Sequence, residues 1–249
     1  MSITIKNKNE IDKMRIAGEI TGHALEVAEK NVRVGITTHD LDRIIEEYIR
    51  SRDAIPGFLN YRGYPASSCI SINEEVIHGI PGNRRLKSGD VVSVDLGAVF
   101  DGYYGDAART FVVGEASKEN LNLIEITKKS FFEGIKFARP GCHLFEISEA
   151  VQEYVEKNNF SVIKDYVGHG IGMQMHEAPE IPNYRQNRRG PKLEVGMTLA
   201  IEPMVSIGAD RVIVLDDGWT VITADRKCSA HYENTILICD GEPEILTMI

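Results

Sequence analysis

Val91-Val92-Ser93-Val94-Asp95-Leu96-Gly97-Ala98-Val99-Phe100-Asp101-Gly102-Tyr103-Tyr104-Gly105-Asp106 is the stretch on which the fold turns. Asp-Gly between two apolar runs is a strong two-residue hairpin signal, because the favoured turn needs positive φ at both central positions. With Asp101-Gly102 as the turn, Asp106 falls opposite Gly97, two residues beyond Asp95. Side chains alternate faces along a strand, so Asp95 and Asp106 share one face as diagonal neighbours. Two carboxylates so placed repel unless one is protonated or a cation bridges them. Asp95 also sits in an apolar run, where an unpaired carboxylate is costly to bury.

Strand patterns surround this hairpin at 67–76, 90–96 and 103–113, and helical spacing precedes it. Ile11, Met14, Ala17, Thr21, Ala24 and Ala28 recur every three or four residues over 9–30. Leu41, Ile44, Ile45, Tyr48 and Ile49 do so over 38–52, with Thr38 as the expected cap. The order then repeats, with helices at 117–138 and 143–158 and strands at 197–207, 211–215, 219–223 and 231–239. Gly35 through Ile49 matches Gly141 through Val155, and Leu86 through Asp95 matches Leu193 through Glu202, at offsets of 106 and 107 residues. The pattern predicts a duplicated helix-helix-strand unit in an α+β fold, with pseudo-symmetric halves at about 1–113 and 114–249 of a single domain, 1–249. A site between the halves is expected.

Composition narrows the function. The 249 residues are 43% hydrophobic and 26% charged, enough for a substantial core and too apolar for disorder. A net charge of -9 disfavours bulk attraction to nucleic acid or anionic membrane. No apolar run reaches the ~20 residues that span a bilayer, and no secretory h-region follows the start, so a cytoplasmic protein is expected. Cys69, Cys142, Cys228 and Cys239 lie far apart without a CxxC pair, which fits reduced core thiols.

Among 37 Asp and Glu, position must decide which carry chemistry. Glu202, in Leu199-Ala200-Ile201-Glu202-Pro203-Met204, occupies the duplicated register of Asp95. Glu233 lies within the strand pattern Ser229-Ala230-His231-Tyr232-Glu233-Asn234-Thr235-Ile236-Leu237. His169 lies in Gly168-His169-Gly170-Ile171-Gly172, where glycines let the backbone approach a ligand or take unusual dihedrals. Taken singly, each has an ordinary reading: a buried ion pair for Asp95 or Glu202, a hairpin acid for Asp106, a loop imidazole for His169, an exposed strand residue for Glu233. Together, four carboxylates and one imidazole form an oxygen-rich set suited to two divalent ions.

These residues, with Ser71-Ile72-Asn73-Glu74 to His78-Gly79-Ile80-Pro81, His176-Glu177 and Asp217-Gly218-Trp219-Thr220, resemble the bacterial type I methionine aminopeptidases, of the pita-bread fold. The resemblance spans essentially the whole chain. It implies a hydrolase that removes the N-terminal methionine from nascent proteins and peptides when the second residue is small. Asp106 and Glu233 would bridge two ions, Asp95 would complete one, His169 and Glu202 the other, and a hydroxide between them would attack the first peptide carbonyl. Glu202 would handle the proton, His176 would steady the oxyanion and His78 would contact the scissile amide. Phe58, Tyr61, Tyr64, Cys69, Met175 and Trp219 would line the methionine pocket, with Phe58 and Met175 departing from residues common in the family. The resemblance leaves the metal open among cobalt, manganese, iron and zinc. It also implies a monovalent cation near Asn73, Glu75 and Ser229.

Two other readings compete. A prolidase-like enzyme of the same fold usually carries a large amino-terminal domain, whereas this chain begins just before its first helix. A non-catalytic relative that binds peptide or RNA would be expected to have lost ligands, and all five are present. Arg84, Arg85 and Lys87 precede one half's strand and Arg185, Arg188, Arg189 and Lys192 the other's, so two basic loops are candidates for transient ribosome contact. Solvated surface charge is the ordinary reading of both. No apolar stripe demands a partner, and a monomer is expected.

Overall fold

The computed structural model describes residues 2–249. Helix α1 (Lys8–Asn31) opens with a reciprocal cap, in which Asn7 Oδ1 accepts the Glu10 N–H and Glu10 Oε2 accepts the Asn7 N–H. Helix α2 (Thr38–Ser51) follows. Its cap is Thr37, one residue earlier than expected, because the Thr37 Oγ1 takes the Asp40 N–H at 3.0 Å while Thr38 is already helical. Helices α3 (Lys118–Ile135) and α4 (Leu144–Lys157) form the second pair.

A nine-stranded antiparallel sheet runs through both halves. Five neighbouring strands form its centre, in the order Val91–Phe100, Tyr103–Val112, Glu233–Leu237, Thr198–Ile201 and Gly168–Gly170. The hairpin register is the expected one: Gly97 pairs with Asp106, with Asp101 at φ 46° and Gly102 at φ 81° in the turn. Helix α1 packs on the face away from the acids. A Cβ on Gly105 would lie 2.8 Å from Ala17 backbone atoms, and Thr21 Oγ1 donates to the Ala17 and Gly105 carbonyls. One large apolar cluster joins α1 and α2 to the first half's strands, and another joins α3 and α4 to the second's. Isolated bridges Thr37–Arg85 and His143–Lys192 tie each helix pair to its half at equivalent places.

Three expected strands are interrupted. The 67–76 stretch divides into Ser68–Ile72 and Glu75–Ile77 at Asn73, whose φ is 60°. The 197–207 stretch breaks at Glu202-Pro203: Thr198–Ile201 stays in the large sheet, and Met204–Ser206 joins a separate three-stranded sheet with Ser229–His231 and Ser161–Val162. Pro203 has no N–H to continue the ladder. The 231–239 stretch divides at Tyr232 for the same change of sheet. The short strands Gly168–Gly170 and Glu177–Ile181 had no period long enough to be read. Among the described residues no helix is long and apolar enough to cross a membrane, and all four cysteines are free.

Candidate active site

Strand pairing brings the five candidate ligands to one face. Asp95 and Glu233 both pair with Ala108, so with Asp106, two residues from Ala108, they point the same way. Asn234 pairs with Ile201 and His169 with Ala200, which brings Glu202 and His169 to that face as well. Ala108 is fully buried at the centre, and its methyl group leaves the space that the surrounding acids need. Glu202 owes its place to the strand break, since it is the last residue before Pro203 directs the chain into the other sheet.

The acids are unsatisfied. Asp95 Oδ1, Asp106 Oδ1 and Glu233 Oε1 are buried without a hydrogen-bond partner. Burial, and then the charge of Asp106, raises the Asp95 carboxyl well above the usual carboxylate range. Glu202 and Glu233 are raised by burial and by neighbouring acids, and burial pushes Asp106 up to about 7. His169 Nε2 stands 3.6 Å from Glu202 Oε1 and 4.0 Å from Asp106 Oδ2, too far for hydrogen bonds. One donor atom each from Asp106, His169 and Glu233 falls within 4.8 Å of the others, as does one each from Asp95, His231 and Glu233. Orphaned carboxylate oxygens with an imidazole at these separations fit divalent cations.

The three glycines around His169 serve a different purpose from the one expected. None has positive φ. A Cβ on Gly168 would lie 2.4 Å from the Ala200 carbonyl oxygen, on Gly170 2.2 Å from that of Ala178, and on Gly172 2.4 Å from Lys6 Cε. They admit neighbouring chain, not a ligand.

A cavity of about 160 Å³ opens over the acids, lined by the five ligand candidates, His78, His176 and all six expected pocket residues. Phe58, Tyr64, Cys69 and Met175 are buried as one cluster, with Tyr61 and Trp219 packed against it. Tyr64 is fixed by its hydroxyl, which donates toward the Ser68 and Gly79 carbonyls, and its ring meets Trp219 edge-on at 5.1 Å. His78 sits at φ 59°, a left-handed conformation that non-glycine residues rarely hold and that here belongs to a residue facing the cavity. Burial, then the charge of His176, lowers His78 to about 4. Burial, then the charge of Arg62, lowers His176 to about 4. Both are therefore neutral near pH 7. His176 Nδ1 lies 2.8 Å from the Tyr61 hydroxyl, and its ring is 4.2 Å from that of His169.

Sequence reasoning missed Arg62, which also lines the cavity. It missed the ion pair of Lys6 Nζ with Glu177 Oε2, at 2.5 Å, beside the His176 loop. It passed over His231, although strand alternation from Glu233 was the signal that could have found it.

The model of metallopeptidase family M24 matches residues 12–240. A methionine aminopeptidase of Clostridium perfringens is 56% identical over 247 residues, covering 99% of each chain. The crystal structure of methionine aminopeptidase from Thermotoga maritima superimposes with a TM-score of 0.98 at 45% identity, covering 100% of both chains. The prolidase of Pyrococcus furiosus shares the fold alone, with a TM-score of 0.79 at 24% identity, and this chain covers 65% of it.

Proposed function

The chain belongs to metallopeptidase family M24, and from that premise we propose that it is a methionyl aminopeptidase of the pita-bread fold. It removes the N-terminal methionine from nascent proteins and peptides whose second residue is small. The observation that carries this reading is the single cavity in which orphaned carboxylates meet a pocket of aromatic rings and sulfur, a surface suited to a thioether. The relatives that share its full length and high identity, methionine aminopeptidases and not prolidases, support the choice of substrate.

In this reading Asp95, Asp106, His169, Glu202 and Glu233 would hold two divalent ions, Asp95 on the side of one and His169 with Glu202 on the side of the other. Such ions supply Lewis acidity and make water nucleophilic near neutral pH. Their identity among cobalt, manganese, iron and zinc follows supply in the cell. His176 Nδ1 and the Tyr61 hydroxyl share a hydrogen bond of 2.8 Å; with the hydroxyl as donor, His176 carries its proton on Nε2 and donates it to the oxygen of the first peptide carbonyl as charge develops there. His78, neutral and held by its backbone, contacts the scissile amide. Glu202, which lines the cavity, holds the proton. Phe58, Tyr61, Tyr64, Cys69, Met175 and Trp219 enclose the methionine side chain and exclude water from it. Ser229 donates to the Asn73 and Glu75 carbonyls, and these residues would hold a monovalent cation.

Chain 1–249 acts as one catalytic domain, a monomer working on emerging polypeptides in the cytoplasm. Of the basic loops, Arg84 is paired with Glu75, Arg185 with Glu149 and Glu153, and Arg189 with Glu146. Arg85, which donates to the Gly35 carbonyl, and Lys87, Arg188 and Lys192 have no acidic partner among the described residues and remain for ribosome contact. Their neutralisation is expected to weaken co-sedimentation with ribosomes without slowing cleavage of a short peptide.

Metal-stripped protein tested with metal add-back on Met-Ala, Met-Lys and Ala-Pro peptides decides the main reading. Metal-dependent release of methionine from the first alone is expected. Preference for the proline peptide, or release without metal, overturns it.

A further inference from the structure

His231 is 2% exposed, and both of its ring nitrogens are buried without a hydrogen-bond partner. A histidine that merely fills the core normally donates its one N–H. This ring faces the acids instead, with Nε2 3.7 Å from Glu233 Oε2. Ligand bonds of about 2.0–2.2 Å put two donors of one ion roughly 3–4 Å apart, so 3.7 Å is too long for a hydrogen bond and suits a shared cation. The same separations recur at His169, 3.6 Å from Glu202 and 4.0 Å from Asp106. Chain direction explains the placement. His231 ends one strand and Glu233 begins the next, while Tyr232 between them turns to the other side, under the Arg109 guanidinium at 4.3 Å.

Resting on the metal-holding part of the reading above, we propose that His231 is a sixth protein ligand, joining Asp95 and Glu233 on one ion as His169 joins Glu202 on the other. Each ion then has one imidazole. The Asp95 side ceases to be an all-oxygen site, and its preference moves away from magnesium and calcium toward iron, cobalt and zinc.

X-ray absorption on the full chain loaded with two equivalents of cobalt(II) tests this without a variant. Outer-shell scattering of one imidazole per ion is expected, and half an imidazole per ion with both ions bound overturns the assignment. Calorimetric titration of His231→Gln and His231→Ala with cobalt(II) gives a second readout. One of the two ions should bind at least about 100-fold more weakly, the upper end of what losing a mere outer partner costs, while the other keeps its affinity. Two unchanged affinities refute a ligand role for His231. Failure of the unaltered protein to bind any divalent ion refutes the metal reading itself, and this inference with it.

Discussion

Lys6→Met removes one ammonium and keeps most of the side chain's length. Lys6 Nζ meets Glu177 Oε2 at 2.5 Å with the two side chains 3% and 14% exposed, so little water is available to replace the lost partner. Breaking a buried pair from one side costs about 3–5 kcal/mol, because the remaining charge is stranded; the slight exposure of Glu177 places the expectation at about 3 kcal/mol. The pair also pins the turn that carries the cavity residues. Glu177 Oε1 accepts the Gln174 N–H, Gly172 N–H donates to the Gln174 carbonyl, and Met175 and His176 lie between these anchors. A shift of this turn moves His176 relative to the substrate carbonyl, and a displacement of 1 Å can cost about 100-fold in rate. Urea unfolding of metal-free protein should show the stability loss, and kcat on a Met-Ala peptide should fall at least about 10-fold. The double variant Lys6→Met/Glu177→Leu should recover most of the stability but not the rate, since the Gln174 anchor is gone. A single variant within about 0.5 kcal/mol of the parent would refute the reasoning, as would a double variant no more stable than the single.

The metal-free protein should lose stability as pH rises from about 6.5 to 8, the range in which His78, His169, His176 and His231, held below the ordinary histidine value by burial, are already neutral in the folded and the unfolded chain alike. Burial raises Asp106 to about 7, and burial together with repulsion from neighbouring acids raises Asp95, Glu202 and Glu233, so in this range the folded state still holds protons that the unfolded chain has released. Thermal melts across this range check it, and a rising stability contradicts it. Tyr61→Phe frees His176 Nδ1 and should lower kcat roughly 10-fold with KM for short methionyl peptides little changed, given the scale of general acid–base and donor effects; an unchanged kcat removes Tyr61 from the mechanism. Gly170→Ala forces a methyl against the Ala178 carbonyl and should destabilise by about 1–3 kcal/mol in chemical denaturation. Stability equal to the parent would show that the two strands can separate there at no cost.

The sequence by itself determined whatever rests on local periodicity and turn chemistry. Helix α1 was expected at 9–30 and spans Lys8–Asn31, because apolar spacing and an Asn7–Glu10 cap are local. The Asp101-Gly102 turn set the register that pairs Gly97 with Asp106, because a two-residue hairpin leaves no alternative pairing. The position of Glu202 beside His169 was not legible in this way. It depends on a strand broken at Pro203 and on the pairing of Thr198–Ile201 with two strands distant in sequence. Period-two reasoning could place Glu233 on a strand but could not say which strand would lie beside it. The glycines around His169 looked like room for a ligand and are room for the Ala200 and Ala178 carbonyls and for Lys6. Lys6 meets Glu177 across 171 positions, a contact with no local signal. Local propensities thus determined the elements and one hairpin, and tertiary structure decided the site, because only packing brings side chains from five strands onto one face.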